Sequence, residues 1–439
     1  MNDMGVDDLE AGLELLRMAG HAALGLLAQP FYYIAVLFII LQYTRQTRLE
    51  RQLFHVRLHI WPRLLVRTLI AGLAVGVFLS VAGIFLGSAL SGSAVIWLWS
   101  TAAVLMLLRI RYLCFAYSAG LLGLMQWGFG FTSLAERGDW LGRLFASLDG
   151  LDVAGLLMLV AVLHLAEALL VARQGDKLAT PLFLEGKRGK LVGGYMLQGF
   201  WPVPLLMLVP MEGGSTAALP WTPLFGPDWS QGWSIIALPM IIGFSELTRS
   251  MLPKDKARHA AKGLVVYSVI LAGAALLAWW QPVLLPAAAV VALMLHEGMV
   301  WLSMRKEAQS TPFYVNDERG LRILGIVPGT PAEAMGLVPG EIMHKVNGQK
   351  VRSKESLHDA LQVNSAFSKL EVYNLEGQLK FVSRARYAGE HHQLGVILSP
   401  DEQANYYAVS GHASLFSLLR ASRTSNRRGG GPGAPTVGG

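Results

Sequence analysis

The chain has 439 residues, of which 53% are hydrophobic and only 15% are charged. A soluble domain usually carries about 25% charged residues, so this composition argues against a wholly soluble protein. The single cysteine, Cys114, excludes an intramolecular disulfide framework and a thiolate-rich metal site. The net charge of +7 does not indicate a nucleic-acid partner, because the basic residues lie in separate short patches.

Long apolar runs fill residues 1–304 and predict a polytopic α-helical membrane bundle of about eight or nine spans. The predicted spans are 19–43, 69–90, 94–108, 112–129, 151–172, 194–211, 233–248, 264–280 and 283–303. Pro30 is expected to kink or split the first span, and Pro202 and Pro204 interrupt the sixth. Gly72 and Gly76 form a GxxxG pattern that favours a close helix contact.

The loops between these spans alternate in their content of lysine and arginine. With the 44–68 loop placed in the cytosol, the loops on that side carry 18 basic residues and those on the other side carry three. Because cytoplasmic loops are enriched in basic residues, we expect the N-terminus outside the cell membrane and the C-terminal domain in the cytosol. The same bias explains the basic patches without any ligand except the lipid bilayer.

Residues 305–400 have the composition of a soluble domain. The string VPGTPAEAMGLVPGEIMHKVNG at 327–348 strongly resembles the core motif of PDZ domains, which are small α/β domains. A PDZ domain binds an extended peptide as an added strand beside its long helix. The resemblance implies an acceptor strand at 320–326 and a facing helix at 353–363. Residues 401–439 are predicted to form a disordered low-complexity tail.

The resemblance also implies which residues line the peptide-binding groove. They are Gly320, Leu321, Arg322, Ile323, Leu324, Leu357 and Leu361. The alternative for the two helix leucines is that their i, i+4 spacing simply faces the domain core. Residues 395–398 are expected to form a strand that closes the domain beside Gly320, so internal peptide segments are the expected ligands rather than free C-termini.

No catalytic residues, metal site or cofactor are predicted. The zinc protease motif H-E-x-x-H is incomplete, because position 300 after His296 and Glu297 is valine. Five ionisable residues are nevertheless expected inside spans: His164, Glu167, Glu246, His296 and Glu297. They could form one shared polar site, but interhelical hydrogen bonding is the favoured interpretation, since no third strong metal ligand is evident beside the two histidines.

Three features together resemble a family of multi-pass membrane proteins, the MinJ-like cell-division topology factors of Gram-positive bacteria. They are the arginines around the segment Phe54-His-Val-Arg57, the polytopic body, and a terminal cytosolic PDZ domain that ends in residues 389–396. The resemblance implies a non-enzymatic adaptor that connects DivIVA-like and MinD-like proteins at septum and poles. The alternative is a PDZ-regulated membrane enzyme or transporter that uses the intramembrane His and Glu residues.

Overall fold

The fold was analysed in a computed structural model. It describes the chain except for residues 1–3, 88–89, 187–189, 216–218, 220, 226–228, 230–231, 365, 386–393, 402–408, 412–435 and 439. The α-helices are α1 (Met4–Ala28), α2 (Pro30–Phe54), α3 (Trp61–Leu86), α4 (Gly92–Leu108), α5 (Phe115–Phe129), α6 (Trp140–Asp149), α7 (Val153–Gln174), α8 (Pro253–Trp280), α9 (Leu285–Gln309), α10 (Pro331–Ala334) and α11 (Lys354–Gln362). The strands are β1 (Ala179–Glu185), β2 (Leu191–Ser215), β3 (Trp233–Thr248), β4 (Leu321–Ile326), β5 (Ile342–Val346), β6 (Gln349–Lys350), β7 (Phe367–Tyr373), β8 (Leu379–Ala385), β9 (Val396–Leu398), β10 (Val409–Gly411) and β11 (Thr436–Gly438).

Several helices have the length and apolar character that a membrane crossing requires. Within the described residues four qualify singly: Trp61–Leu86, Val153–Leu178, Pro253–Trp280 and Pro282–Gln309. Helices α1 and α2 add a fifth candidate as a pair bent by 58°, with the break immediately before Pro30 as predicted. The predicted count of eight or nine spans is therefore not supported.

The largest departure from the sequence prediction concerns residues 194–211 and 233–248, which were expected to be two helical spans. They form an antiparallel hairpin of β2 and β3, paired from Tyr195 opposite Thr248 to Pro210 opposite Trp233. Strand β1 adds to the base of β2 and completes a three-stranded sheet. The prolines of β2 explain the outcome, since Pro202 and Pro204 cannot donate the backbone hydrogen bonds of a helix interior.

The hairpin packs along the apolar helix α3. The strand approaches so closely that a Cβ atom at Gly72 would lie 2.1 Å from the carbonyl oxygen of Pro202. One turn later, a Cβ atom at Gly76 would lie 2.4 Å from the carbonyl oxygen of Pro204. The GxxxG pattern therefore does permit a close contact, but its partner is a strand rather than a second helix.

On each outer edge of the hairpin, a side chain from a neighbouring helix or its end satisfies a backbone group. The carbonyls of Pro202 and Pro204 face α3, and the next donor on that edge, the N–H of Leu206, bonds Ser80 Oγ at 2.8 Å. On the β3 side, Gln29 Nε2 donates to the carbonyl of Ala237 at 3.0 Å. Backbone groups at membrane depth need partners within the protein, so proline and buried polar side chains make these edges tolerable.

The C-terminal domain is a five-stranded antiparallel path in the order β8-β7-β5-β4-β9, with the short β6 paired to β5. Helix α11 begins at a capping box in which Ser353 and Ser356 satisfy each other's backbone N–H groups. The core contains Leu321, Ile323, Met343, Val346, Leu370 and Val372. Strand β9 lies beside β4, as expected for a strand that closes the domain.

The C-terminal domain packs against the base of the β1–β2 pair. Gly193 donates its N–H to the carbonyl of Tyr314 at 2.9 Å, and Tyr195 donates its hydroxyl to the carbonyl of Leu324. Leu324 and Ile397 belong to the same buried cluster as the interior of the helical body. The two parts therefore share a continuous apolar contact.

Little of the C-terminal tail falls among the described residues. The short strands β10 and β11 pair in parallel, with Val409 opposite Thr436. Most of the predicted disordered tail, 402–408 and 412–435, lies outside the described residues.

Candidate functional site

The strand expected to accept a peptide has no open edge. Strand β4 pairs with β5 through Leu321 opposite Met343 on one side. On the other side it pairs with β9 through Ile323 opposite Leu398. Because an added strand needs unpaired backbone groups, the predicted acceptor strand at 320–326 is wrong. The edge of the sheet next to β4 is β9.

Because β4 is paired on both sides, the groove residues predicted on it contribute to the packing of the domain instead. Leu321, Ile323 and Leu324 are fully buried. The first two lie in the core of the C-terminal domain, and Leu324 belongs to the apolar cluster of the helical part of the chain. Gly320 has a φ of +151°, and a Cβ atom there would lie 2.0 Å from the carbonyl of Met343. Its position therefore requires glycine rather than a ligand-binding side chain.

Arg322 also serves the domain itself. Its guanidinium donates to the carbonyl of Gly340 at 3.0 Å and to that of Val315 at 3.2 Å. It also lies 4.7 Å from the ring centroid of Phe313. Burial lowers the pKa of Arg322, although the nearby carboxylate of Asp317 opposes that shift. Arg322 thereby ties the segment after α9 to the domain.

The remaining groove candidates lie on α11. Leu357 is buried in the domain core, which agrees with the alternative that it faces the interior. Leu361 is half-buried and packs on the same apolar cluster as Val396 of β9. Helix α11 and strand β9 therefore cover the same apolar cluster, and Nζ of Lys354 at the start of α11 lies 3.8 Å from the carboxylate of Asp401, three residues after β9. Among the described residues β9 has a strand partner on one side only.

Leu394 and Gly395, which directly precede β9, form a tight turn that is held by backbone hydrogen bonds. Gly395 has a φ of +84°, and a Cβ atom there would lie 2.2 Å from Oγ1 of Thr330. The carbonyl of Gly395 accepts from the N–H of Val327, and that of Leu394 accepts from the N–H of Ala332. The sequence signal for this loop was Leu394-Gly395 directly before a β-branched run.

The five ionisable residues expected inside the membrane do not form one site. Glu246 lies near the end of β3. Its carboxylate forms a salt bridge with the buried Lys256 at the start of α8, with 3.1 Å between oxygen and nitrogen. Lys256 also lies 3.6 Å from Glu307 and donates to Ser303 at 2.8 Å. This cluster places one buried cation between two carboxylates and connects β3, α8 and α9, which supports the interpretation of a structural contact.

Glu297 belongs to a second cluster. It forms a salt bridge with Arg111 and accepts a hydrogen bond from the hydroxyl of Tyr117 at 2.8 Å. The ring of Tyr117 in turn lies 4.9 Å from the ring of His296 on the same helix as Glu297. Glu167 lies three residues after His164 on α7, and no ion pair joins it to a described residue.

The two histidines meet at a residue that the sequence did not implicate. Cys114 precedes α5, and its Sγ lies 3.4 Å from Nε2 of His164 and 3.7 Å from Nε2 of His296. Separations of 50 and 182 residues along the chain hide this convergence from any local motif. A sulfur and two imidazole nitrogens therefore converge between α5, α7 and α9.

Comparisons with known proteins agree with this architecture. Residues 322–372 match the PDZ domain family. The chain is 31% identical over 405 residues to the cell division topological determinant MinJ of Bacillus subtilis (strain 168), covering 91% of this chain and 98% of the relative. It is 29% identical over 289 residues to a probable cell division topological determinant MinJ of Lacticaseibacillus paracasei, covering 63% of this chain and 73% of the relative. A probable MinJ of Lacticaseibacillus casei (strain BD-II) gives the same values.

Proposed function

Because the chain belongs to the MinJ family of cell-division topological determinants, we propose that it is a non-enzymatic membrane adaptor of the division site. Its apolar helices anchor it in the cell membrane, and its PDZ domain recruits protein partners. The observation that supports this proposal is the strand edge of β9 that is free among the described residues, together with the half-buried Leu361 of α11, which packs on the same apolar cluster as β9; we infer a peptide groove between this strand and this helix. An extended segment of a partner adds to β9 there through backbone hydrogen bonds.

The proposed partners follow from the family. DivIVA-like and MinD-like proteins are the candidates, with the PDZ domain in the cytosol, the N-terminus outside, and the protein concentrated at septum and poles. Residues 1–304 form the anchor and residues 305–400 the recruiting domain. The excess of basic residues in the loops assigned to the cytosol supports this orientation.

A groove variant tests the recruitment. In the full-length protein, Leu361→Glu places a charge on the helix wall of the groove, so a partner segment that buries an apolar side chain there should lose binding. We expect a fluorescent fusion to change from septal and polar foci to a uniform membrane signal. Capture of DivIVA-like or MinD-like proteins from solubilised membranes should fall in parallel.

The matched control is Phe381→Glu. Phe381 is 63% exposed on β8, at the opposite edge of the same sheet, so its replacement adds the same charge away from the groove. This variant should keep its foci. Equal behaviour of both variants at equal membrane levels would contradict the groove as the recruiting surface. Protease digestion of the C-terminal domain in intact cells would contradict its cytosolic orientation.

A further inference from the structure

We propose that Cys114, His164 and His296 form a binding site for a transition-metal ion, with zinc(II) the metal that fits this mixed sulfur and nitrogen set. Their three ligand atoms all lie within 4.8 Å of one another. Thiolate and imidazole are the ligands that zinc takes in proteins, usually in tetrahedral geometry.

The distances agree with shared coordination. Tetrahedral zinc with its usual bond lengths places a sulfur and a nitrogen ligand about 3.6 Å apart. Cys114 Sγ lies 3.4 Å from one histidine Nε2 and 3.7 Å from the other. Both imidazoles therefore point the same ring nitrogen at one sulfur, and both sulfur–nitrogen distances are close to the value expected around a shared zinc ion.

The orientation of His164 is fixed by a contact outside the cluster. Its Nδ1 donates to the carbonyl of Val160 at 2.8 Å, so the proton lies on Nδ1 and the lone pair of Nε2 faces Cys114. An imidazole held through its second nitrogen by a carbonyl is the usual arrangement around a histidine metal ligand. The Nδ1 of His296 has no hydrogen-bond partner among the described residues.

Aromatic rings close the cluster from the surrounding helices. Tyr267 of α8 lies 4.9 Å from the ring of His164 and 5.5 Å from that of His296. Tyr117 lies 4.9 Å from His296 on the other side. The three side chains leave one tetrahedral position for a small ligand such as water. A bound ion would hold the start of α5 against α7 and α9.

Metal analysis of the full-length protein tests the site. The protein is purified in detergent through a tag without histidines, and its metal content is measured after incubation with zinc and removal of the excess. We expect about one zinc per chain. The Cys114→Ser and His296→Gln variants should retain about tenfold less or lower, because each loses a direct ligand. His259→Gln, which alters an exposed histidine on α8, should retain the wild-type amount.

Cobalt(II) provides a second measurement that does not depend on retention alone. Cobalt bound by Cys114 should give a thiolate-to-cobalt charge-transfer absorption, and Cys114→His should bind the ion without that band. This variant keeps three ligands. Cobalt binding without the thiolate band would therefore show that the band is lost with the sulfur and not through misfolding. The competing explanation is a hydrogen-bonded chain from His296 through Cys114 to His164. Metal content far below one ion per protein molecule, or equal content in all variants, would overturn the metal site and favour this hydrogen-bonded arrangement.

Discussion

Single glycines determine how closely the helical body can approach its hairpin. Gly72 and Gly76 lie on the face of α3 that meets the carbonyls of Pro202 and Pro204. The contact is backbone to backbone, so neither side can move as a flexible side chain would. A methyl group at either position must separate the helix from the strand.

We expect Gly72→Ala to destabilise the folded protein by about 1–3 kcal/mol, the usual cost of forcing extra volume into a packed interior. The melting temperature of the purified protein in detergent provides the measurement. The control is Gly273→Ala on α8, where a Cβ atom would have no neighbour within 4 Å. A melting temperature equal to that of the control would refute the close packing of α3 on β2.

Residue patterns predicted some contacts and concealed others. The GxxxG pattern correctly indicated a close approach at Gly72, because small residues permit it with any backbone. The convergence of Cys114 with His164 and His296 carried no local signal, since helix packing rather than spacing along the chain brings them together. Glu246 was not assigned to Lys256 because residues 233–248 were expected to be a helical span rather than a strand that ends beside α8.

The buried Lys256 connects β3 with α8 and α9 through its contacts with Glu246, Glu307 and Ser303. Lys256→Met should destabilise the protein by about 3–5 kcal/mol, because it leaves the carboxylates of Glu246 and Glu307 together without their cation. Detergent melting curves would measure the loss. The double variant with Glu246→Gln should recover part of it, and no recovery would argue against the salt bridge.

The β2–β3 hairpin is the element that sequence reasoning missed. Burial alternates along β3, but the less buried face carries mostly apolar residues such as Ile241, so the sequence lacks the alternation of apolar and polar residues that identifies a strand with one face in water. Eighteen or so such residues also satisfy the length of a helical span. The available signal was Pro202-x-Pro204, because a spacing of two places both prolines on one strand edge while a helix tolerates neither.

The outer edge of β2 is held to α3 by the hydrogen bond from the N–H of Leu206 to Ser80. Ser80→Ala removes the acceptor for the N–H of Leu206, leaving a buried donor unsatisfied at a cost of about 1–3 kcal/mol. Ser268→Ala is the matched control, because both hydroxyls donate to the carbonyl four residues earlier in their own helix. Only Ser80 also accepts from another element. Similar melting temperatures for the two variants would mean that the strand edge does not depend on α3.

At the scale of the whole molecule, the PDZ domain packs directly against the β1–β2 pair and is not joined to it by a linker alone. The backbone of Gly193 meets Tyr314 and Leu324, and a Cβ atom there would lie 2.8 Å and 2.9 Å from their side chains. The sequence identified the domain because its motif is long and contiguous. It did not indicate the docking, which depends on residues more than 100 positions apart.

We expect Gly193→Ala to loosen this contact while both parts remain folded. Hydrogen exchange should then increase at residues 313–315 and at β1, with little change in the core of the C-terminal domain. Gly128→Ala, whose Cβ atom would have no neighbour within 4 Å, is the control. Unchanged exchange at 313–315 would show that the contact tolerates the added methyl group.

The hairpin also constrains how the protein enters the membrane. A helix satisfies its own backbone and can pass from an aqueous channel into lipid as soon as it is complete, whereas a lone strand cannot. We therefore expect β2 to enter the membrane only after β3 has been synthesised through Thr248, with α3 already present to cover the free edge. The chain between Leu191 and Thr248 should then leave the insertion machinery as one unit, beside helices made earlier.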